Sequence, residues 1–135
     1  MGVKNLIGPH EGRELSLMLQ GQKKAALFYD LLEQGRDIPE EIIPEAAFAP
    51  HVSSGKILRF AQDIKVKKTG DIIRYVCFIL PNEEGRMNMI FQINREVLED
   101  KRANTDQDDQ IIGRLLGYTD EEISAFLLRR KKILS

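Results

Sequence analysis

The residues best equipped for chemistry stand together near the start of the chain, in Ile7-Gly8-Pro9-His10-Glu11-Gly12-Arg13-Glu14. His10 can move a proton near neutral pH, Glu11 beside it can serve as a base, and Arg13 can hold an anion. Gly8 and Gly12 would let a ligand approach the backbone, and the start of a following helix would favour an anion. The same residues have a purely structural reading. Pro9 suits a first helical turn, and Glu11 and Glu14 complement the positive end of a helix. Successive helical residues point about 100° apart, so His10 and Glu11 do not converge by spacing alone.

His51 is the second candidate, in Asp37–Gly55 ("DIPEEIIPEAAFAPHVSSG"), followed by Ser53 and Ser54. A serine–histidine pair requires the hydroxyl within hydrogen-bond reach of the ring and a third group to orient it. The sequence lacks the G-x-S-x-G elbow that exposes such a serine. "SSGK" at 53–56 is not a phosphate loop either, because residue 50 is proline and residue 57 is isoleucine. His51 is therefore expected as an exposed loop side chain. The enzymatic alternative joins it to His10, Glu11 and Arg13 as a small catalyst or anion binder at the 8–14 helix start.

His10, His51 and Cys77 are too dispersed for the close ligand spacing of a structural zinc site, so neither a metal nor another cofactor is expected. Cys77 is expected inside a central strand as an inert thiol. The acidic run Thr105–Gln110 lacks the glycine and distal glutamate of a calcium loop.

The C-terminal "QIIGRLLGYTDEEISAFLLRRKK" has the pattern of a helix-turn-helix: Gly113 and Gly117, with apolar residues at 112, 116, 123 and 126. Arg129, Arg130, Lys131 and Lys132 are the candidate contacts to nucleic acid. In such a unit, however, the second helix enters the groove by its N-terminal end. Here that end is Asp120-Glu121-Glu122, which would face phosphates and forfeit counterion release. A structural or protein-contacting hairpin is preferred over DNA binding.

The elements that must position these residues follow from hydrophobic periodicity. Leu15, Met18 and Leu19 predict a helix over about 11–20, ended by Gly21. The apolar run 25–31 reads as a strand, and three prolines leave 37–55 mostly irregular, with one or two helical turns. Residues 57–66 alternate, with Leu58, Phe60, Ile64 and Val66 on one face. Residues 72–80 are apolar on both faces, so that strand needs cover on both sides. Residues 87–94 alternate again, with Met87, Met89, Phe91 and Ile93 inward, and complete a three-strand meander. Thr105 or Asp106 caps a first C-terminal helix, and Thr119–Glu122 has the capping-box spacing for a second.

The expected fold is therefore α+β: an antiparallel three- to four-stranded meander with an N-terminal helix and a C-terminal helical hairpin. A length of 135 residues suits one domain with a full-sized core. A net charge of −1 gives no global pull toward nucleic acid or anionic lipid. No apolar run reaches membrane-spanning length, no secretory leader is visible, and a lone cysteine suits a reducing cytosol. The second sheet face must be covered either by the 37–55 connection or by another chain. From that strip comes the expectation of a small cytoplasmic binding or regulatory protein, not a catalyst, that contacts another protein or a second copy of itself.

Overall fold

The computed structural model describes residues 10–134. The sheet is built from three eight-residue strands. They are β1 (Ala25–Leu32), β2 (Leu58–Lys65) and β3 (Ile72–Ile79). All pairs are antiparallel, and β3 lies between the other two. β2 and β3 form the expected hairpin, closed by Gly70 in the left-handed region at φ 80°. Its turn is tied by the Val66 N–H donating to the Asp71 carbonyl at 2.7 Å.

The third neighbour differs from expectation. Residues 87–94 are not a strand: they lie within helix α3 (Glu84–Leu98), and β1 occupies the free side of β3. Over eight residues, alternation and helical spacing select overlapping sets. Met87, Ile90 and Phe91, at i, i+3 and i+4, are buried, whereas Met89 of the alternating set is 48% exposed. Fifteen residues of continuous helical periodicity outweigh a short alternating run. The sheet accordingly has three strands, with no fourth among the described residues.

The other helices are α1 (Glu14–Leu19), α2 (Glu45–Ser53), α4 (Asp106–Leu115) and α5 (Asp120–Leu134). α1 is shorter than expected, and its Leu19 is exposed while Met18 is buried. α2 supplies the helical turns foreseen in the proline-rich connection. The C-terminal hairpin forms as expected. Thr105 caps α4 reciprocally with Asp108, and the Glu122 N–H and carboxylate engage Thr105's counterpart, Thr119, at the start of α5. Gly113 lets the two helices meet, since a Cβ there would stand 2.7 Å from Ile123 Cγ1.

Both faces of the sheet are covered by the chain itself. Ala26, Val76 and Phe78 pack with Met18, Ile43, Phe48 and Ile57 on one side. Ala25, Tyr75, Cys77 and Ile79 pack with Ile64, Met87 and Phe91 on the other. Alternate residues of one strand thus enter two different cores. The apolar strip that called for a partner chain lies under α2 and its flanking segments.

Candidate functional site

Strand β1 carries Phe28 and Tyr29 side by side, so their rings point to opposite faces. On the Tyr29 side, α3 covers only part of the sheet, and the α4–α5 hairpin roofs the remainder. Between them is a cavity of about 360 Å³. Its floor is Leu27, Tyr29 and Tyr75; its roof includes Ile112, Ile123 and Phe126. The rings of Tyr29 and Tyr75 lie 5.2 Å apart. Burial pushes the Tyr75 hydroxyl pKa up; burial and then the Asp109 charge do the same to Tyr29. Both remain neutral hydrogen-bonding groups across the physiological range.

Asn94 of α3 lines the same cavity, and its buried Nδ2 has no hydrogen-bond partner. A buried amide donor left unmatched is destabilising by about 1–3 kcal/mol, so Asn94 is an uncompensated polar group beside the cavity wall. The helical spacing of α3 explains its position: Asn94 stands four residues after Ile90 and three after Phe91, on the buried stripe.

A second cavity, of about 520 Å³, adjoins the first. The two share Leu27, Tyr29 and Tyr118. Because both Phe28 and Tyr29 line the second one, it runs along the free edge of β1, where the 10–14 turn faces residues 40–48. Glu11, Gly12 and Glu14 therefore do border a cavity, and the 37–55 connection does come over them. It presents Glu40, Glu41 and Pro44, however, and not His51.

Behind Tyr118, the start of the chain is pinned to the hairpin. Lys23 is only 2% exposed. Its Nζ donates to the Leu116 carbonyl, stands 3.0 Å from His10 Nδ1, and lies 4.6 Å from the Tyr118 ring centre. His10 stacks on Tyr118 with centroids 4.1 Å apart. With the ammonium donating to Nδ1, the neutral imidazole carries its proton on Nε2, which faces Glu122 Oε1 at 4.0 Å. Burial, followed by the Lys23 charge, lowers the His10 pKa despite Glu122. Burial brings Lys23 down to about 8, although Glu14 and Glu122 oppose the shift. Burial and the carboxylates of Glu14, Glu122 and Glu11 push Tyr118 up to about 12. This triad secures the roof; neither His10 nor Lys23 lines a cavity.

The remaining sequence candidates separate. His51 lies in the last turn of α2, where the Ser54 hydroxyl donates to its backbone carbonyl at 3.1 Å and so is not directed at the ring. His10, held by Lys23 and Tyr118, and His51 line no common cavity. Arg13 is exposed beside the second cavity without lining it. Gly8 and Pro9 fall outside the described residues, as does the Lys132 side chain. Arg130 is bound to Asp106 and Asp109, at 3.1 and 2.7 Å, and Lys131 stands 3.4 Å from Asp106. These pairs turn basic charge of α5 toward α4; Arg129 is exposed. Cys77 is buried and its thiol is pushed up to about 12 by that burial, as suits a packing residue. Among the described residues no three histidines, cysteines or carboxylates are grouped to hold a metal, and no helix is long and apolar enough to cross a membrane.

The residues that sequence reasoning missed are Lys23, Tyr29, Tyr75, Asn94 and Tyr118. Asn94 alone carried a local signal, since helical spacing would have placed it inward. No family model, curated protein or solved structure matches this chain.

Proposed function

We propose that the protein is a small-molecule-binding protein whose site is the tyrosine-floored cavity beneath the α4–α5 hairpin. The observation that carries the reading is the cavity of about 360 Å³ itself, floored by Tyr29 and Tyr75, roofed by Ile112, Ile123 and Phe126, and bordered by Asn94. That size, with aromatic walls and a few inward polar groups, is the usual composition of a ligand site. Binding is favoured over catalysis because no nucleophile with an adjacent base lines the cavity among the described residues. His10 is held as a hydrogen-bond acceptor to Lys23 and is thereby occupied structurally.

Other readings have less support. The macromolecular-partner expectation rested on an uncovered sheet face, which α2 and its flanks now occupy. The DNA reading rested on basic residues of α5, two of which pair with aspartates of α4.

The test is a fluorine-detected NMR screen with neutral, anionic and cationic fragments, run on the wild type and on Ile112→Trp, which fills the cavity roof. Fragments that bind the wild type and lose binding in the filled variant support the reading. Equal binding to both proteins, or no binding in any charge class, would overturn it.

A further inference from the structure

We infer that the outer edge of β2 pairs with the same edge of a second copy of the chain, joining two sheets into one. Along a strand, successive residues turn their N–H and C=O groups to opposite sides. The Leu80 N–H donates to the Lys24 carbonyl, and the Val66 N–H to the Asp71 carbonyl. These two bonds fix the phase of both ladders: even-numbered residues of β2 face β3, and odd-numbered ones turn outward. At one end the outward Ile57 N–H is taken by the His51 carbonyl. Just past the other end, the Lys67 N–H is taken by the Leu98 carbonyl. Between these stops lie Arg59, Ala61, Asp63 and Lys65, all exposed. No hydrogen bond among the described residues closes their outward N–H groups. The β1 edge differs. Its Leu31 N–H donates to Asp30, its Leu31 carbonyl accepts from Arg36, and residues 11–15 and 40–48 flank its middle.

The charges on β2 select a partner and a register. A two-fold antiparallel pairing sets odd residues against odd ones. Centred on Ala61, it places Arg59 of each copy opposite Asp63 of the other, and Leu58 opposite Ile64 on the other face. One step along, Arg59 meets Lys65; one step back, Asp63 meets Ile57, whose N–H is already engaged. Strand edges that avoid pairing are commonly guarded by lysines or other charges that repel a copy. This window has one charge of each sign, placed symmetrically about a small residue. Asp30, Arg74 and Asp63 already stand side by side across the three strands. Arg36 pairs with Asp30, and Arg74 with Asp63. Arg59 of a second copy extends this alternation. Its Nε and Nη2 bind Glu45, and Nη1 lies outside that pair. The helices allow the approach. α3 packs across β2 and β3, so with strands about 4.8 Å apart its two copies would lie roughly 10 Å from each other, an ordinary packing distance. No β2 residue lines either cavity, so ligand binding and self-pairing stand or fall separately.

The test is sedentation equilibrium of the whole chain over a wide concentration range, with amide hydrogen exchange measured at both extremes. The apparent mass should rise toward that of two chains and no further. The Arg59, Ala61 and Asp63 amides should exchange more slowly in the concentrated sample. Ala61→Pro removes an N–H that the single chain does not use, so it should weaken association at least about tenfold while the unfolding midpoint of the dilute chain holds. Asp63→Asn removes both symmetry-related charge pairs and should weaken association about two- to tenfold, and added salt should act in the same direction. A single-chain mass at every concentration would overturn the proposal. So would association that Ala61→Pro leaves intact, or growth beyond two chains. Should Ala61→Pro fail to fold, exchange in the unaltered chain decides: protection confined to the Leu27 and Tyr29 amides, or absent from β2, would overturn the pairing.

Discussion

Phe28 and Tyr29 are neighbours on β1, and the two sides of the sheet they serve are built differently. On the Phe28 side, the rings of Phe48 and Phe78 stack at 4.0 Å, and Phe28 meets each edge-on at about 6 Å. Phe48 and Phe78 are almost completely buried. On the Tyr29 side, Tyr29 and Tyr75 carry hydroxyls and border the first cavity, while Phe91 packs in the adjoining core; Tyr29 itself is 45% exposed. Rings without polar tips can be packed against each other until no space remains. Rings with hydroxyls need a partner at the tip, so they suit a wall that something else completes. Each side of the sheet has a buried core; the Phe28 side opens only at the β1 edge, where Phe28 and Phe48 reach the second cavity, whereas the Tyr29 side keeps a cavity beneath the hairpin.

The largest expected effect tests the packed side. Phe78→Ala should destabilise the protein by about 3–5 kcal/mol through loss of burial and the hole left behind, read by urea denaturation. Tyr29→Ala should shift stability by less than about 1 kcal/mol, because its ring is already half in solvent, yet abolish ligand binding. Equal destabilisation by both would erase the contrast between the two sides.

The next effect concerns the pin behind the tyrosine side. Lys23 titrates near 8 in the folded protein and at 10.5 in the unfolded chain. Between these values the unfolded state holds the extra proton, so its contribution to stability rises with pH. Cys77 and the tyrosines, whose folded pKa values are raised, act in the opposite sense at high pH. The comparison must therefore be wild type minus Lys23→Met. That difference should climb by roughly 3 kcal/mol between pH 8 and 10.5. A flat difference would show that the ammonium is not desolvated, and that the roof is more open than described.

A smaller effect is expected in the roof. Gly113→Ala gains about 1 kcal/mol of helix propensity but forces a Cβ against Ile123. Overpacking of this kind is destabilising by about 1–3 kcal/mol, so a modest net loss is expected, and the cost of Gly113→Ala should vanish when it is measured in an Ile123→Ala background, which removes both clashing atoms. Stabilisation by the single change would mean that the hairpin is loosely packed there.

The smallest effect lies at the start of α4. Thr105→Ala removes the α4 cap and should lower stability by about 1 kcal/mol. Asp108, held by Arg102 and Thr105, is lowered to about 2. Its contribution is present above its unfolded value of 3.8 and is lost as pH falls toward 2. In an acid titration, Asp108→Asn should remove that part of the decline; an unchanged acid limb would contradict the assignment.

What was legible in the sequence divides along physical lines. β2 and β3 were readable because one alternates and the other is apolar on both faces. The hairpin was readable because Gly113, Gly117 and two capping threonines mark its bounds locally. Residues 87–94 were misread because both periods fit eight residues, and the helix declares itself only over fifteen. The opening stretch was half legible: Glu11, Gly12 and Glu14 do border a cavity, but the histidine among them is engaged in packing. Lys23 reaches a carbonyl 93 positions away, a meeting that no local pattern records. The cavity itself was illegible because it arises where β1, α3 and the α4–α5 hairpin, distant in sequence, meet incompletely.

The central claim is that the cavity floored by Tyr29 and Tyr75 binds a ligand that does not reach the stacked core around Phe78. Intermolecular NOEs to a fragment bound in the fluorine-detected screen, in a sample with assigned aromatic protons, test it most directly. The account predicts contacts from the ligand protons to the Tyr29 and Tyr75 rings and none to Phe78. Contacts confined to other surfaces, or none in the presence of saturating fragment, would contradict it.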